Sequence, residues 1–428
     1  MIILDNLLKQ RAAAGNPIRV GLIGAGFMGR GLANQIINSV PGMRLVAIAN
    51  RSPERAASLY TEAGIADPNE VHTVGALEDA IRAGRAAYTA DANLLCEAPS
   101  IDCLVDVTGA LEFGASITLK AFACGKNMVS MNAELDATIG PLLKRRSQAA
   151  GVIFTAADGD QPGVQMNLFR FVKGLGLTPL VCGNIKGLQD PYRNPTTQAG
   201  FAAKWGQNPY MVTSFADGTK ISFEQAIVAN ATGMRIAKRG MTGRDHAGHI
   251  DELTKLYDLD ELKQLGGVVD YTVGSKPGPG VFVFATHDDP KQRHYLNLYK
   301  LGEGPLYSFY TPYHLCHFEV PMSVARLVLL GDPVMQPLDG APKVDVVATA
   351  KVDLAPGDII DELGGYKAYG QCETYAATRA GRLLPMGQSE HCRVIRPVKK
   401  DQVLSYDDVE LPPGRLIDRL RAEQEQHR

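Results

Sequence analysis

Closely spaced glycines stand early in the chain, directly after an apolar run. Residues 24–29 read G-x-G-x-x-G, the run at 18–23 predicts a buried strand, and the residues after the loop predict a helix. In that order, such glycines allow a tight turn, a close approach of a diphosphate to the backbone, and close packing of helix on strand. We therefore expect a dinucleotide to bind at the start of this helix; a purely structural turn is the alternative. The residues expected to contact it are Gly24, Gly26, Phe27, Met28 and Gly29.

The end of the second predicted strand indicates which dinucleotide is bound. Enzymes that use NAD usually place Asp or Glu there, to bind the ribose 2′-hydroxyl. This strand, at 43–49, is followed by Asn50, Arg51 and Ser52, none of which would repel a 2′-phosphate. Arg51 can bind the phosphate bidentately, and its neighbours can donate hydrogen bonds. We predict NADP(H) as the cofactor; the alternative is a solvated Arg51 in an enzyme that accepts both coenzymes.

A further strand at 101–107 should deliver its following loop beside the nicotinamide ribose. Ligands of such sheets collect at the carboxyl ends of the strands. Thr108 and Gly109 occupy that loop and are expected to contact the cofactor, whereas Asp106 is expected to organise the loop.

Three later segments carry polar residues that could perform chemistry. Asn132 follows the fifth strand, Asp158 and Asp160 flank a glycine, and Lys186 lies early in the second predicted domain. Reduction of a carbonyl requires a group that stabilises the developing alkoxide, and we predict Lys186 as the acid, with Asp160 and Asn132 as further catalytic residues. The two aspartates also suit a hard divalent cation. The alternatives are a solvated lysine and an Asx-turn at a hinge.

Basic residues in the middle of the chain are candidates for a substrate phosphate or carboxylate. They lie in loops, where a solvated charge run is the alternative. The four residues are Arg193, Lys238, Arg239 and Lys276. The pair His314 and His317 has the spacing H-x-x-H but no matching second pair, so we predict structural histidines rather than metal ligands.

The elements that must position these residues fall into three predicted regions. Residues 1–160 alternate helices with apolar strands, which predicts an α/β fold of the Rossmann type with a doubly wound parallel sheet. Residues 161–340 are predicted to form an α+β sheet domain that carries catalysis. Residues 341–428 predict a small β-rich domain with a terminal helix after Pro413.

Within these regions, individual stretches are predicted as follows. The stretch 75–90 is predicted to be helical. Strands are predicted at 211–216, 219–223, 268–273 and 280–285.

Composition and charge restrict the classes of function. The chain has 428 residues, of which 45% are hydrophobic, and its formal net charge is −2. A charge this small gives no general attraction to nucleic acid or to an anionic membrane, and no apolar run is long enough to span one. The seven cysteines are an odd number without a CxxC pair, which favours reduced thiols. We expect a soluble, cytoplasmic protein that acts on a small molecule.

Short motifs in a shared order resemble a known family. They are GLIGAGFMG, MNAELDATIGP, DGDQPG, FADGTK, IVANATG, GVVDYTVG, PGVFV, YHLCHFEVPMSVAR and DLAPGD. Their order resembles the homoserine dehydrogenase-like oxidoreductases with a C-terminal SAF domain, and most of all the DXR-like, Brucella-type reductoisomerases. The chain departs from homoserine dehydrogenases where Ala133 follows Asn132 in place of a lysine.

The resemblance implies a reaction and its requirements. These are rearrangement and NADPH-dependent reduction of 1-deoxy-D-xylulose 5-phosphate to 2-C-methyl-D-erythritol 4-phosphate, a divalent metal (Mg or Mn) and a homodimer. Two alternatives stay open. One is an NADP-dependent dehydrogenase of another small hydroxy acid, polyol or semialdehyde, and the other is a sensor that binds NADP(H) without turnover.

Overall fold

The computed structural model describes residues 4–426 of the chain. Its α-helices are α1 (Asp5–Ala13), α2 (Phe27–Ser39), α3 (Pro53–Glu62), α4 (Val74–Arg82), α5 (Asn93–Glu97), α6 (Leu111–Ala123), α7 (Ala133–Ala149), α8 (Gln161–Gly174), α9 (Pro195–Trp205), α10 (Pro209–Asp217), α11 (Thr219–Thr232), α12 (Leu259–Leu265), α13 (Pro290–Leu298), α14 (Val320–Leu330), α15 (Tyr375–Ala380) and α16 (Leu416–Gln426). Short 3₁₀ helices cover Ile250–Leu256, Cys316–Phe318 and Met386–Gln388. None of the helices between residues 4 and 426 combines the length and the apolar character that a membrane span requires.

The strands form two larger sheets and two small ones. They are β1 (Ile18–Ile23), β2 (Met43–Ala49), β3 (Asn69–Glu70), β4 (Ala87–Thr89), β5 (Cys103–Asp106), β6 (Asn127–Ser130), β7 (Phe154–Ala156), β8 (Thr178–Lys186), β9 (Arg244–Asp245), β10 (Val268–Val273), β11 (Gly280–Thr286), β12 (Tyr307–Thr311), β13 (Val344–Ala350), β14 (Ala368–Thr374), β15 (Arg393–Val394) and β16 (Val409–Glu410).

The chain divides into two compact units. Unit 1 comprises the described residues up to Gly163 together with Leu315–Gln336. Unit 2 comprises Val164–His314 and the described residues from Pro337 onward. Each unit is built from two separate stretches of chain, so its fold depends on contacts between residues far apart in sequence. The division into 1–160, 161–340 and 341–428 stays a prediction.

Unit 1 contains a seven-stranded parallel sheet in the order β3-β4-β2-β1-β5-β6-β7. All of its strand pairs run parallel, which confirms the predicted doubly wound α/β fold. Its strands are apolar because helices cover both faces of such a sheet. β1 lies between β2 and β5, so the chain leaves β1 at the point where the strand order reverses. This is the place at which such sheets bind ligands.

One prediction within unit 1 is wrong. The stretch 75–90, predicted to be one helix, is α4 followed by the short strand β4. The stretch after β6 is the start of the 17-residue helix α7, which the sequence analysis did not identify. Its residues up to Leu143 are buried, acidic ones included, so its sequence lacks the polar stripe by which a surface helix is found.

Unit 2 contains a mixed five-stranded sheet in the order β12-β11-β8-β10-β9. β8 runs parallel to β10 and antiparallel to β11, so β8 is the central strand. The strands predicted at 268–273 and 280–285 are confirmed as β10 and β11. The predicted strands at 211–216 and 219–223 are wrong, because these residues lie in helices α10 and α11.

The burial of α11 explains the error. Thirteen of its 14 residues are buried, from Thr219 to Ala231. One side of the helix contacts β8 and β10, and the other contacts β13 and β14. A helix covered on both sides has no polar stripe, and its short apolar runs cannot be distinguished from strands by periodicity.

The end of the chain is β-rich, as predicted, and belongs to unit 2. β13 pairs with β14 and β15 with β16, both antiparallel. The predicted terminal helix is α16, which begins at Leu416. The guanidinium of Arg421 on α16 is fully buried against the carboxylate of Asp345, and this ion pair holds the helix on β13.

Candidate active site

The glycine-rich loop of unit 1 joins β1 to α2. Gly24 has φ of +110°, and a Cβ on Gly29 would lie 2.3 Å from the carbonyl oxygen of Gly24. A Cβ on Gly26, by contrast, would meet nothing within 4 Å. Gly26 is the N-cap of α2, with no side-chain cap and no acidic residue in the first turn. The first amides of α2 thus face open space at the positive end of a helix dipole, which suits a diphosphate.

The residues after β2 are arranged beside this loop. The Oδ1 of Asn50 accepts a hydrogen bond from the backbone N–H of Ala25 (3.1 Å), and its Nδ2 donates to the carbonyl of Ser52 (2.9 Å). Asn50 therefore fixes the loop through backbone contacts. Arg51 is exposed and makes no hydrogen bond or ion pair with any residue in the described part of the chain. Ser52 is the N-cap of α3, but its hydroxyl does not cap the helix.

The loop after β5 is held by a buried carboxylate. One oxygen of Asp106 accepts hydrogen bonds from the N–H (2.9 Å) and the hydroxyl (2.7 Å) of Thr108. Burial raises the pKa of the Asp106 carboxyl, and the hydrogen bonds from Thr108 oppose that shift. Thr108 also lies against the glycine-rich loop, since a Cβ on Gly24 would lie 3.1 Å from the methyl of Thr108. Gly109 follows with φ of +66°.

Asn132 is buried and performs a structural task. Its Oδ1 accepts from the N–H of Leu135 (3.0 Å), which makes Asn132 the N-cap of α7. Its Nδ2 donates to the carbonyl of Ala110 (3.0 Å). These two bonds tie the start of α7 to the loop after β5.

The predicted metal ligands have other neighbours. Asp158 is buried 3.5 Å from the guanidinium of Arg326, and its N–H donates to the hydroxyl of Ser323 (2.6 Å). Asp160 accepts from the N–H of Gln161 (3.2 Å), at the start of α8. Within residues 4–426, no group of three or more His, Cys, Asp or Glu side chains could hold a metal ion. The two aspartates therefore do not fit a dedicated metal site.

The glycine between these aspartates positions a distant segment. Gly159 has φ of +85°, and a Cβ there would lie 2.1 Å from the carbonyl oxygen of Cys316. The carbonyl of Gly159 accepts from the N–H of Cys316 (2.9 Å). Next to it, the ring of His317 packs on α2, since a Cβ on Gly31 would lie 2.6 Å from it. Burial lowers the pKa of His317.

Unit 2 contains a buried polar layer between its sheet and its helices. Asn184, on β8, is fully buried; its Nδ2 donates to Oε2 of Glu224 on α11 (3.0 Å), and its Oδ1 accepts from Nε2 of Gln165 on α8 (2.5 Å). Lys186 is two residues further along β8 and so lies on the same face of the sheet as Asn184. Lys186 is half-buried at the carboxyl end of the central strand.

A second lysine, which the sequence did not single out, belongs to this layer. Lys220 is 9% exposed and lies one helical turn before Glu224, on the same side of α11. α11 runs antiparallel to β8. Glu224 contacts Asn184, whereas Arg235, just after the helix, bridges to Val268, the register partner of Val181 on β8. One turn back along α11 therefore places Lys220 level with Lys186. The sequence signal for Lys220 is the motif FADGTK, whose final residues lie in the wrongly predicted strand at 219–223.

The four predicted basic residues do not form one cluster of free cations. Arg193 pairs with Asp190 (3.0 Å) and Arg239 with Glu373 (2.5 Å). Lys238 and Lys276 are exposed. The loop that follows Arg239 is anchored rather than solvated, because Asp270 accepts from the N–H groups of Thr242 and Gly243 (3.1 and 2.8 Å).

Two family models match parts of the chain. Residues 159–320 match "Oxidoreductase DRL, catalytic domain", and residues 6–92 match "Shikimate / quinate 5-dehydrogenase". The first match covers the polar layer of unit 2 and the second covers the glycine-rich loop. No curated protein matches the chain.

Several solved structures are similar at low identity. A probable dehydrogenase from Thermotoga maritima has 14% identity and a TM-score of 0.42, over 74% of this chain and 90% of that one. A scyllo-inositol dehydrogenase from Lactobacillus casei, with bound NAD(H) and scyllo-inositol, has 13% identity and a TM-score of 0.36, over 68% and 76%. The oxidoreductase match, together with the open glycine-rich loop on a doubly wound sheet, makes the chain an NAD(P)-dependent oxidoreductase.

Proposed function

We propose that the chain uses NADPH to reduce a small hydroxy-carbonyl compound. The observation that carries this proposal is the buried hydrogen bond between Asn184 and Glu224, with Lys186 two residues further along β8 and Lys220 one turn back along α11. In this proposal unit 1 binds the coenzyme and unit 2 supplies the proton.

The preference for NADPH over NADH rests on Arg51 and Ser52. The Arg51 guanidinium is exposed and engages no described residue, and the hydroxyl of Ser52 caps no helix. Both are therefore available to a 2′-phosphate at the start of α3. When bound, the nicotinamide supplies a hydride. Gly24, Gly26, Phe27, Met28, Gly29, Thr108 and Gly109 complete the proposed coenzyme site.

The proton comes from a lysine ammonium in this proposal. An ammonium beside a carbonyl stabilises the developing alkoxide and donates a proton to it. Lys186 and Lys220 are the candidates for this role, and Asn184 and Glu224 are positioning residues that fix the layer between them. Asn132 and Asp160, which bind backbone groups at helix starts, are proposed to position the loops of unit 1. No step is assigned to a metal, because Asp158 is paired with Arg326.

The substrate proposed first is 1-deoxy-D-xylulose 5-phosphate, which the motif resemblance implies. Its phosphate would be bound by basic side chains among Arg193, Lys238, Arg239 and Lys276. The second candidate is an NADP-dependent dehydrogenase of another small hydroxy acid, polyol or semialdehyde. The pairing of Arg193 and Arg239 with carboxylates favours an uncharged substrate such as a polyol, because these two cations are already neutralised.

A substrate panel tests the proposal. The purified full chain is mixed with NADPH and either 1-deoxy-D-xylulose 5-phosphate or one of a set of small hydroxy-carbonyls, and the loss of absorbance at the reduced nicotinamide band is recorded. The reverse direction is tested with NADP⁺ and polyols. Turnover with the sugar phosphate supports the first candidate, and turnover with an uncharged compound alone supports the second. Tight NADPH binding without turnover on the whole panel would contradict reduction of a small hydroxy-carbonyl and favour the sensor.

A further inference from the structure

A cavity in unit 2 lies close to Lys186 and Lys220, but neither lysine lines it. Its volume is about 230 Å³. It is bounded by the carboxyl end of β10, the first turn of α11, and β14. Tyr271 and Val273 line it and are the register partners of Asn184 and Lys186, so the cavity lies one strand away from the polar layer. Its size is below the usual ~300–1,000 Å³ of pockets for drug-sized ligands, which restricts it to a small molecule.

Several polar groups on the cavity wall lack a partner within the described chain. The hydroxyls of Tyr271 and Tyr369 make no hydrogen bond, and Tyr369 is only 6% exposed. The Oε1 of Gln189 is a buried acceptor without a donor. The amide of Gln371 uses its Oε1 to accept from Thr349 (3.1 Å), which leaves its two N–H groups. Of these atoms only the Gln189 oxygen is fully buried, whereas the phenols and the Gln371 amide belong to residues that line the cavity. A buried acceptor normally has a donor, so an orphaned one beside several open donors indicates a ligand.

The wall offers neutral donors and no cation. Burial raises the pKa of Tyr271 and of Tyr369 to about 12, so both phenols stay protonated at neutral pH. None of the lining residues, all of which lie within the described chain, is Lys, Arg or His. Of the two lining carboxylates, Asp217 is neutralised by the ammonium of Lys351 at 2.7 Å, and Asp245 is exposed. A phosphate or carboxylate would therefore find no counter-charge here.

We infer that this cavity binds an uncharged, hydroxyl-rich small molecule such as a linear polyol. Each hydroxyl of such a ligand both donates and accepts, which matches two phenols, an amide with free N–H groups and an orphaned amide oxygen. The inference goes beyond the proposed function, because it needs neither coenzyme nor turnover. Its failure would leave the coenzyme site and the lysines untouched, and their failure would leave the cavity untouched.

Three matched probes test the chemical class of the ligand. Sorbitol, sorbitol 6-phosphate and glucamine share one carbon skeleton and are neutral, anionic and cationic. Binding of each to the full chain is measured by saturation-transfer difference NMR, without coenzyme. We expect sorbitol to bind and the phosphate to bind at least tenfold more weakly. Absence of sorbitol binding, or tighter binding of the phosphate or of the amine, would overturn the inference.

Conservative variants place the binding in this cavity. Tyr271→Phe and Tyr369→Phe each remove one hydroxyl, and Gln189→Met removes the orphaned amide at similar volume. Each should weaken sorbitol binding about three- to tenfold, the effect of one net hydrogen bond. Tyr299→Phe, on a tyrosine that is 73% exposed and outside the cavity, is the control and should have no effect. Sorbitol binding that all three cavity variants leave unchanged would show that it occurs elsewhere.

Discussion

In the proposed function, single residues determine the choice of coenzyme and of proton donor. At the proposed coenzyme site, the side chains of Asn50 and Thr108 are engaged in holding their loops, whereas that of Arg51 contacts no described residue through a hydrogen bond or ion pair. Asn50 and Thr108 therefore maintain the shape of the site, whereas Arg51 can bind a ligand directly. The sequence predicts that Asn, Arg and Ser at 50–52 lie beside the ligand. It does not predict which of them binds the protein backbone, because that depends on contacts formed in the fold.

Arg51→Ala should weaken NADPH binding about ten- to a hundredfold and leave NADH binding within about twofold. The expected loss corresponds to hydrogen bonds to a charged group, which only the 2′-phosphate supplies. Calorimetric titration of both coenzymes measures the effect. Arg82→Ala, on an arginine of α4 that is paired with Asp79, is the matched control. Equal weakening of both coenzymes would remove Arg51 from phosphate recognition.

Lys186→Ala and Lys220→Ala should each lower kcat, at least one of them by about a hundredfold or more, with NADPH affinity unchanged. A positioned acid contributes on the order of 10²–10⁴ to the rate. The variant that lacks the donor should also lose the high-pH limb of the kcat profile, which a merely structural lysine would not change. Lys263→Ala, on an exposed lysine of α12, is the control. Full activity with a wild-type pH profile in both variants would exclude the lysine acid.

At the scale of the elements, close approaches explain why certain residues are glycine. Gly29 lies where α2 meets the end of β1, and Gly75 lies in the first turn of α4 with nothing within 4 Å of a Cβ. The same substitution thus meets opposite surroundings at two helix starts.

Gly29→Ala should destabilise the chain by about 1–3 kcal/mol, because the new methyl overlaps the carbonyl of Gly24 and shifts the glycine-rich loop. Gly75→Ala should be neutral or stabilising by up to about 1 kcal/mol, since alanine is the better helix former. Urea unfolding of both variants measures the difference. A destabilisation by Gly75→Ala as large as that by Gly29→Ala would contradict the close approach of Gly29 to the carbonyl of Gly24.

The sequence was a good guide to elements whose faces differ and a poor one to elements buried all round. β1 and β2 were predicted with their observed bounds, because their apolar runs end at glycine or polar residues. Residues 219–223, the start of α11, are predicted as a strand because a helix covered by two sheets has no polar stripe. Because this helix was not recognised, its side chains Lys220 and Glu224 were not predicted as site residues. Lys186, on β8, was predicted.

At the scale of the whole chain, unit 2 is held together by a buried ion pair. The ammonium of Lys351 lies 2.7 Å from Asp217 and donates to the carbonyls of Arg193 (2.7 Å) and Gly365 (2.6 Å). It connects the end of α10 to the β-rich end of the chain. This connection explains why the residues from Pro337 onward belong to the same compact unit as β8.

Lys351→Met should destabilise unit 2 by about 3–5 kcal/mol, because it leaves the Asp217 carboxylate buried without its counter-ion. The double variant Asp217→Asn/Lys351→Met should lose less than the sum of the two single variants. Urea unfolding of the four proteins gives the coupling free energy. Additive losses would show that the pair does not connect the two segments.

In the proposed function, every catalytic role presupposes that unit 1 binds a nicotinamide coenzyme. The most direct test is an equilibrium titration of the wild-type full chain with NADPH and with NADH under identical conditions. The account predicts saturable binding of both nicotinamides, at least tenfold tighter for NADPH. No binding of either coenzyme, or tighter binding of NADH, would contradict it.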